Sequence, residues 1–252
     1  VLGYTYIGYL ANNVLPARIG ELYRSHALGD GEGVSRTTVL GTVVVERVVD
    51  TVMVVAIASL AVFVLSVRGV MTSAVLVGVA FVALLVIVLG LGMAAHRLPG
   101  ADRVGALIAK RPRLLELARR LREGLAVAGR PRVVVVAILF SALAWAASTG
   151  TFLAAGQAVG VQLSLGQAAL LCSGVALVSI VPAGPANAGT FELTVVFIAK
   201  GFGIPQDSAF ALGLLVHVMI LATTSVGGVI ALLALRRRRS EDAAAAVPGA
   251  TS

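Results

Sequence analysis

The chain has 252 residues, 58% of them hydrophobic and only 13% charged, which is more apolar surface than a soluble domain of this length can hide. A formal net charge of +8 does not point to nucleic acid, because the basic residues cluster beside apolar runs and lack interleaved aromatics; anionic lipid headgroups are their expected partners. A single cysteine, Cys172, excludes an internal disulfide and a cysteine-based metal site, and reads as a small buried apolar residue.

The chain is apolar from Val1, with no basic region or cleavage site of a signal peptide, so further transmembrane sequence is expected upstream. The first polar interruption comes at Asn12, Asn13, Pro16, Arg18, Gly20, Glu21 and Arg24. Amides and charges of this kind are costly in hydrocarbon unless they serve a site. Residues 40–67 form an apolar run broken only by Glu46, Arg47 and Asp50, long enough to cross a bilayer that needs about 20 residues. Residues 70–95 carry no charge and are expected to cross back. The stretch 97–132 is dense in arginine, which marks it as cytoplasmic. Within it, residues 113–128 place Leu114, Leu117, Leu121 and Leu125 on one stripe, the pattern of a helix lying on the leaflet or docked on its own bundle.

From residue 133 to Phe191 there is again no charge. Residues 133–155 cross outward and 156–166 turn on the outer side. The last span, 209–235, ends at four consecutive arginines, Arg236 to Arg239, a second cytoplasmic mark. Residues 165–203 must therefore leave and return to the outer face. Their arms, 165–181 and 190–203, flank a break at 182–189 that contains Pro182, Gly184, Pro185, Asn187 and Gly189, and the second arm is too short to span. A re-entrant pair of half-helices is expected, its tip covered by protein or a water-filled cavity. The expected fold is thus an all-α polytopic transmembrane bundle with re-entrant half-helices, one domain over 1–239 with a disordered cytoplasmic tail over 240–252. Pro16-Ala17-Arg18-Ile19-Gly20-Glu21 and Pro185-Ala186-Asn187-Ala188-Gly189 with Glu192 share an order of residue types, as an inverted repeat with broken helices at the midplane would produce.

The polar residues suit charge handling better than covalent catalysis. Glu46 and Asp50, four apart, share a helix face, where they either hold Arg18 or Arg24, bind a cationic headgroup, or anchor the span as a salt-bridge cluster. Arg18 and Arg24 suit a lipid phosphate or ordinary membrane anchoring. Glu192 opens a half-helix, either beside a bound headgroup or as a charge complementing the helix dipole. His217, inside the last span, is a proton relay, a hydrogen-bond partner or a satisfied core histidine. Glycines including Gly213, Gly227 and Gly228 permit close helix packing. No phosphate-binding glycine loop, metal-ligand cluster or serine-histidine-acid set stands out, so no cofactor is expected.

Asn12, Asn13, Pro16, Arg18, Gly20 and Glu21, then Glu46, Arg47 and Asp50, then Pro182, Pro185, Gly189 and Glu192 resemble the motifs of the lysylphosphatidylglycerol synthase transmembrane or flippase-like family. The resemblance covers nearly the whole chain. It implies an integral membrane protein of the bacterial plasma membrane that moves a phospholipid or polyprenyl-linked lipid between leaflets. Taken with the reading of the polar residues, the candidate binding residues are Asn12, Asn13, Arg18, Glu21, Arg24, Glu46, Arg47, Asp50, Asn187, Glu192 and His217. The alternatives are a membrane enzyme acting on polyprenyl-phosphate-linked sugars in cell-envelope glycan assembly and an accessory protein of that process. A homo-oligomer is compatible with either. The sequence departs from the family at the tip, where Ala186-Asn187-Ala188 stand before Gly189 instead of a Pro-Gly-Gly type turn. The soluble aminoacyl-transfer domain of bifunctional members does not occur in these residues, so lysyl-lipid synthesis is not expected of this polypeptide.

Overall fold

The computed structural model describes residues 2–14, 20, 23–25, 28, 36–66, 76, 79–80, 83, 131–179 and 184–245. Among them every regular element is helical. Most of the expected crossing over 70–95, the amphipathic helix over 113–128, most of the basic stretch, and Arg18, Glu21 and Pro182 lie outside the described residues.

Among the described residues, three helices are long and apolar enough to cross a membrane. Helix α2, Arg36–Val64, carries the apolar window Val45–Val64. Helix α3, Pro131–Ala158, starts on a proline, whose missing N–H costs nothing in a first turn. Helix α6, Gln206–Ala245, contains the window Gln206–Arg237. It does not stop at the arginines but runs on to Ala245, since arginine and alanine are both strong helix formers and charge marks a membrane edge, not a helix end. Large apolar side chains such as Phe63, Phe140, Leu143 and Ile230 point outward, as surfaces bathed in lipid tails do.

Between α3 and α6 the chain makes the expected hairpin. Helix α4, Leu165–Val178, starts on a capping box in which Ser164 and Gln167 satisfy each other's backbone N–H. Helix α5 is Thr190–Lys200. At 1.5 Å per residue they are roughly 21 and 16 Å long, short of a ~30 Å hydrocarbon core. Between them lie a 3-10 turn at Pro185–Asn187 and three residues at positive φ, the adjacent Ala186 (53°) and Asn187 (55°) and then Gly189 (81°). Both arms open on one side of the bundle, where Leu65 just past α2 packs against Gly166 at the start of α4.

The core forms where the hairpin meets the long helices. Leu171 of α4, Val195 and Ala199 of α5, and Ala209, Leu212 and Val216 of α6 are fully enclosed. Cys172, also buried, belongs to this cluster. Small residues set the distances, for Gly174 faces Ile198 and Gly213 faces Val195 and the backbone of Glu192. Helix α1, Leu2–Val14, lies antiparallel along the second half of α6. Its Gly3 meets Ala231 and Leu235, Tyr6 and Leu10 lie over Gly227 and Gly228, and Asn13 reaches Thr224 and Ser225. The glycine pair removes the Cβ atoms that would hold the two helices apart.

Candidate functional site

Two polar centres sit within this frame. The deeper one is built on the hairpin tip. Glu192, in the first turn of α5, uses Oε2 to accept the Gly189 N–H at 2.8 Å, closing the helix start on itself. Its Oε1 lies 2.7 Å from His217 Nδ1, and His217 Nε2 lies 2.9 Å from the Ala186 carbonyl oxygen. One imidazole thus joins α6, α5 and the tip. The Phe191 ring stacks on it at 4.5 Å and 11°, with Phe152 of α3 behind at 6.4 Å. Glu192 and His217 are both buried.

This places the tip in depth. His217 is eleven residues into α6, about 16 Å from its start, close to halfway across a ~30 Å core. The end of α1 arrives from the opposite direction about two turns further along α6, where Asn13 Nδ2 donates to Thr224 Oγ1 at 2.9 Å and Ser225 Oγ at 3.1 Å. Between the two ends lies a cavity of about 210 Å³, lined by Asn12 and Asn13 of α1, Ser179 after α4, Ala186, Asn187, Phe191 and His217 of the hairpin side, and Ile220 and Leu221 of α6. Its polar lining is amide, hydroxyl and imidazole. Glu192 stands behind His217 and does not line it; its carboxylate meets the imidazole.

Holding Ala186 at φ 53° costs an L-residue on the order of 1 kcal/mol, a strain that surrounding bonds must sustain. The bond from His217 to its carbonyl is one; the Asn187 N–H to Gly184 carbonyl bond, 3.2 Å, is another.

The second centre lies further along α1. Gly20 donates its N–H to Asn12 Oδ1 at 2.7 Å, and a Cβ there would collide with the Gly8 carbonyl. The chain has therefore doubled back along α1 by Gly20, which brings Arg24 beside Gly8. Arg24 Nη1 meets Glu46 Oε2 at 3.1 Å, Arg47 Nη2 meets Glu46 Oε1 at 3.1 Å and Asp50 Oδ2 at 3.7 Å, and Ser141 of α3 donates to Asp50 Oδ1 at 2.7 Å. Arg24 Nε is buried with no acceptor among the described residues. A water-sized space of about 10 Å³, lined by Asn12, Gly20, Arg24 and Arg47 among others, lies beside the cluster, with Asn12 common to it and the deeper cavity.

A family model, described as the lysylphosphatidylglycerol synthase TM region, matches residues 1–228. The chain belongs to this family. No curated protein and no solved structure matches it. The match ends within α6, beyond His217, Thr224 and Ser225, so both polar centres lie inside the family region. As a member, the protein is an integral membrane protein of a family tied to lipid processes.

Of the residues singled out from sequence, Asn12, Asn13, Asn187, Glu192 and His217 gather at the deeper centre, and Arg24, Glu46, Arg47 and Asp50 at the shallower one. Three partners gave no sign. Ser141 reaches Asp50 across 91 positions, Ser179 is an ordinary serine after an apolar helix, and Phe191 reads only as the start of an apolar run until its ring is seen on the imidazole. Thr224-Ser225 carried a weak signal, as adjacent hydroxyls inside a span.

Proposed function

We propose that this protein carries the polar headgroup of a lipid through the membrane while the tails stay in the bilayer, a flippase-like role in the bacterial plasma membrane. The observation that supports it most directly is the cavity at mid-depth of α6, where the end of α1 and the tip of the α4–α5 hairpin arrive from opposite sides. Apposed broken elements of this kind make substrate sites in alternating-access transporters, because backbone freed from helical pairing can bind a ligand there without facing lipid. With the basic stretch 97–132 and Arg236 to Arg239 on the cytoplasmic side by the positive-inside rule, α1 approaches from the cytoplasm and the hairpin from outside.

The cavity's size narrows the cargo. Its 210 Å³ falls below the ~300–1,000 Å³ that encloses a drug-sized ligand, which favours a single small phospholipid headgroup over a polyprenyl-linked oligosaccharide. The Arg24–Glu46–Arg47–Asp50 cluster, joined to the cavity through Asn12, is the waiting point for a phosphate or an amine on the cytoplasmic side.

Leaflet exchange of a panel of labelled lipids, measured with the full chain in vesicles, tests this reading. Asn187→Leu and Asn12→Leu, which fill the cavity with methyl groups and remove its amides, are expected to slow exchange at least tenfold with the protein still folded and inserted. Exchange unaffected by both substitutions would overturn the assignment of the cavity.

A further inference from the structure

We propose that Glu192 and His217 together form a proton-binding site whose proton fastens the hairpin tip to α6, making the proton the coupling ligand for movement through the cavity. The consequence for transport rests on the translocator reading above; the proton site itself does not.

The argument is one of donors and acceptors. A carbonyl oxygen can only accept, so the 2.9 Å contact to Ala186 requires the hydrogen on His217 Nε2. Nδ1, 2.7 Å from Glu192 Oε1, then has two ways to bond. Either it carries a second hydrogen and an imidazolium faces a carboxylate, or it is bare and accepts from a protonated Oε1. Both arrangements hold one proton more than a carboxylate beside a neutral imidazole. Removing that proton leaves a lone pair facing a lone pair, at Nδ1 against Oε1 or, after a change of tautomer, at Nε2 against the Ala186 oxygen. One of the two bonds must then open. At the Nδ1–Oε1 contact water cannot take its place while the structure stays closed, because the side chains keep only 6% and 8% of their surface and Glu192 does not line the cavity, and an unmet buried polar group is costly.

The tip is the part able to move. Ala186 and Asn187 are held at positive φ, so losing the His217 bond lets them relax, whereas α6 and the core behind it are tightly packed. The departing proton passes to water in the cavity, onto which His217 opens. Around the pair, α1 offers Asn12 and Asn13, the end of α4 offers Ser179, the tip offers Asn187, α5 offers Phe191 and α6 offers Gly213. Cys172 on α4 has its thiol turned to Thr149 of α3. Among the described residues, therefore, no other titratable or charged group faces the pair. The Phe191 ring, parallel to the imidazole at 4.5 Å, covers one face of it.

The test uses the chain in lipid nanodiscs with ¹⁵N-labelled histidine, the His217 signals being assigned among the three histidines by His217→Gln. At low pH, Nε2 is expected to be protonated and Nδ1 to share a proton. In a Cys172→Ser background, Asn187→Cys, at a half-buried tip position that lines the cavity, reports opening through its labelling by a water-soluble maleimide. Raising the pH is expected to remove one proton and speed labelling at least tenfold in the same titration. Glu192→Gln can donate an amide N–H to bare Nδ1 while Nε2 keeps Ala186, so labelling should stay slow at every pH. His217→Ala should label fast at every pH. A bare Nε2, labelling indifferent to pH, or the same pH profile in Glu192→Gln would overturn the proton site, and the isosteric Glu192→Gln decides even if His217→Ala fails to fold. Loss of the pH response with lipid exchange intact refutes this proposal alone. A pH-gated tip with no exchange of any lipid supports the proton site and refutes the translocator reading.

Discussion

The cluster beside α1 and the pair at the hairpin tip handle charge in opposite ways. Arg24, Glu46, Arg47 and Asp50 keep 14, 38, 44 and 30% of their side-chain surface, and two full cations stand among two full anions with contacts stretching to 3.7 Å. Glu192 and His217 keep 8% and 6%, and every hydrogen-bonding atom of theirs that faces the tip meets a partner within 2.9 Å. Where surroundings can polarise, ions cost little and loose pairing suffices. Where they cannot, a charge survives only as one half of a tightly bonded pair with no net charge. On the translocation we propose, a headgroup entering the central cavity while the pair holds its proton would exchange hydrogen bonds for hydrogen bonds and meet no net charge.

The contrast is broken most sharply by removing one acid from each centre. Glu192→Ala leaves the Gly189 N–H and His217 Nδ1 without partners in a buried site, and is expected to cost about 3 kcal/mol of stability, as breaking buried pairs does. Glu46→Ala removes a half-exposed partner of Arg24 and is expected to cost about 1 kcal/mol or less. Denaturant titration of both variants in the same micelle measures the difference. Equal losses would mean that the two centres share one environment and that the depth assigned to the tip is wrong.

The degree to which each centre was legible in sequence follows the same division between local and distant causes. The long helices were legible because an uncharged run of more than 20 residues has few solutions other than a crossing. The hairpin was legible because its second arm is too short and its break holds Pro182, Pro185 and Gly189. The first-motif residues most suggestive of a site, Arg18 and Glu21, lie outside the described residues; of the described residues in that segment, Arg24 meets Glu46. What could not be read was register. His217 meets Glu192 and Ala186 over separations of 25 and 31 residues, and which face of α6 turns to the tip depends on packing around Gly213, not on any local pattern. The left-handed pair Ala186-Asn187 was equally hidden, since alanine gives no hint of positive φ.

A smaller effect is expected where helix spacing, and not charge, holds the two centres in line. A Cβ at Gly228 would come within 2.5 Å of Leu10 Cβ and 2.9 Å of the Tyr6 carbonyl. Gly228→Ala must push α1 away from α6, for about 1–3 kcal/mol of overpacking, and should loosen Asn13 from Thr224 and Ser225 with it. Gly150 of α3 has nothing within 4 Å of its would-be Cβ, so Gly150→Ala should be neutral or stabilise by about 0.5–1 kcal/mol through helix propensity. Thermal melts of the two variants, with lipid exchange measured alongside, separate spacing from charge.

The smallest expected effect, and the one that sharpens the comparison most finely, is at Ala186. Its left-handed backbone costs on the order of 1 kcal/mol relative to glycine in the folded state, while a glycine there would give some of that back by freeing the unfolded chain. Ala186→Gly keeps the carbonyl that His217 holds and adds no atom to the cavity, so it changes strain alone. A net gain of a few tenths of a kcal/mol is expected, read as a small rise in denaturation midpoint. The same substitution should also make the tip less inclined to open, because the bond to His217 would no longer be opposing a strained residue. Slower tip labelling at high pH with stability slightly raised would show that strain drives the opening. A loss of stability would show instead that the Ala186 methyl group makes a packing contact worth more than the conformational strain it imposes.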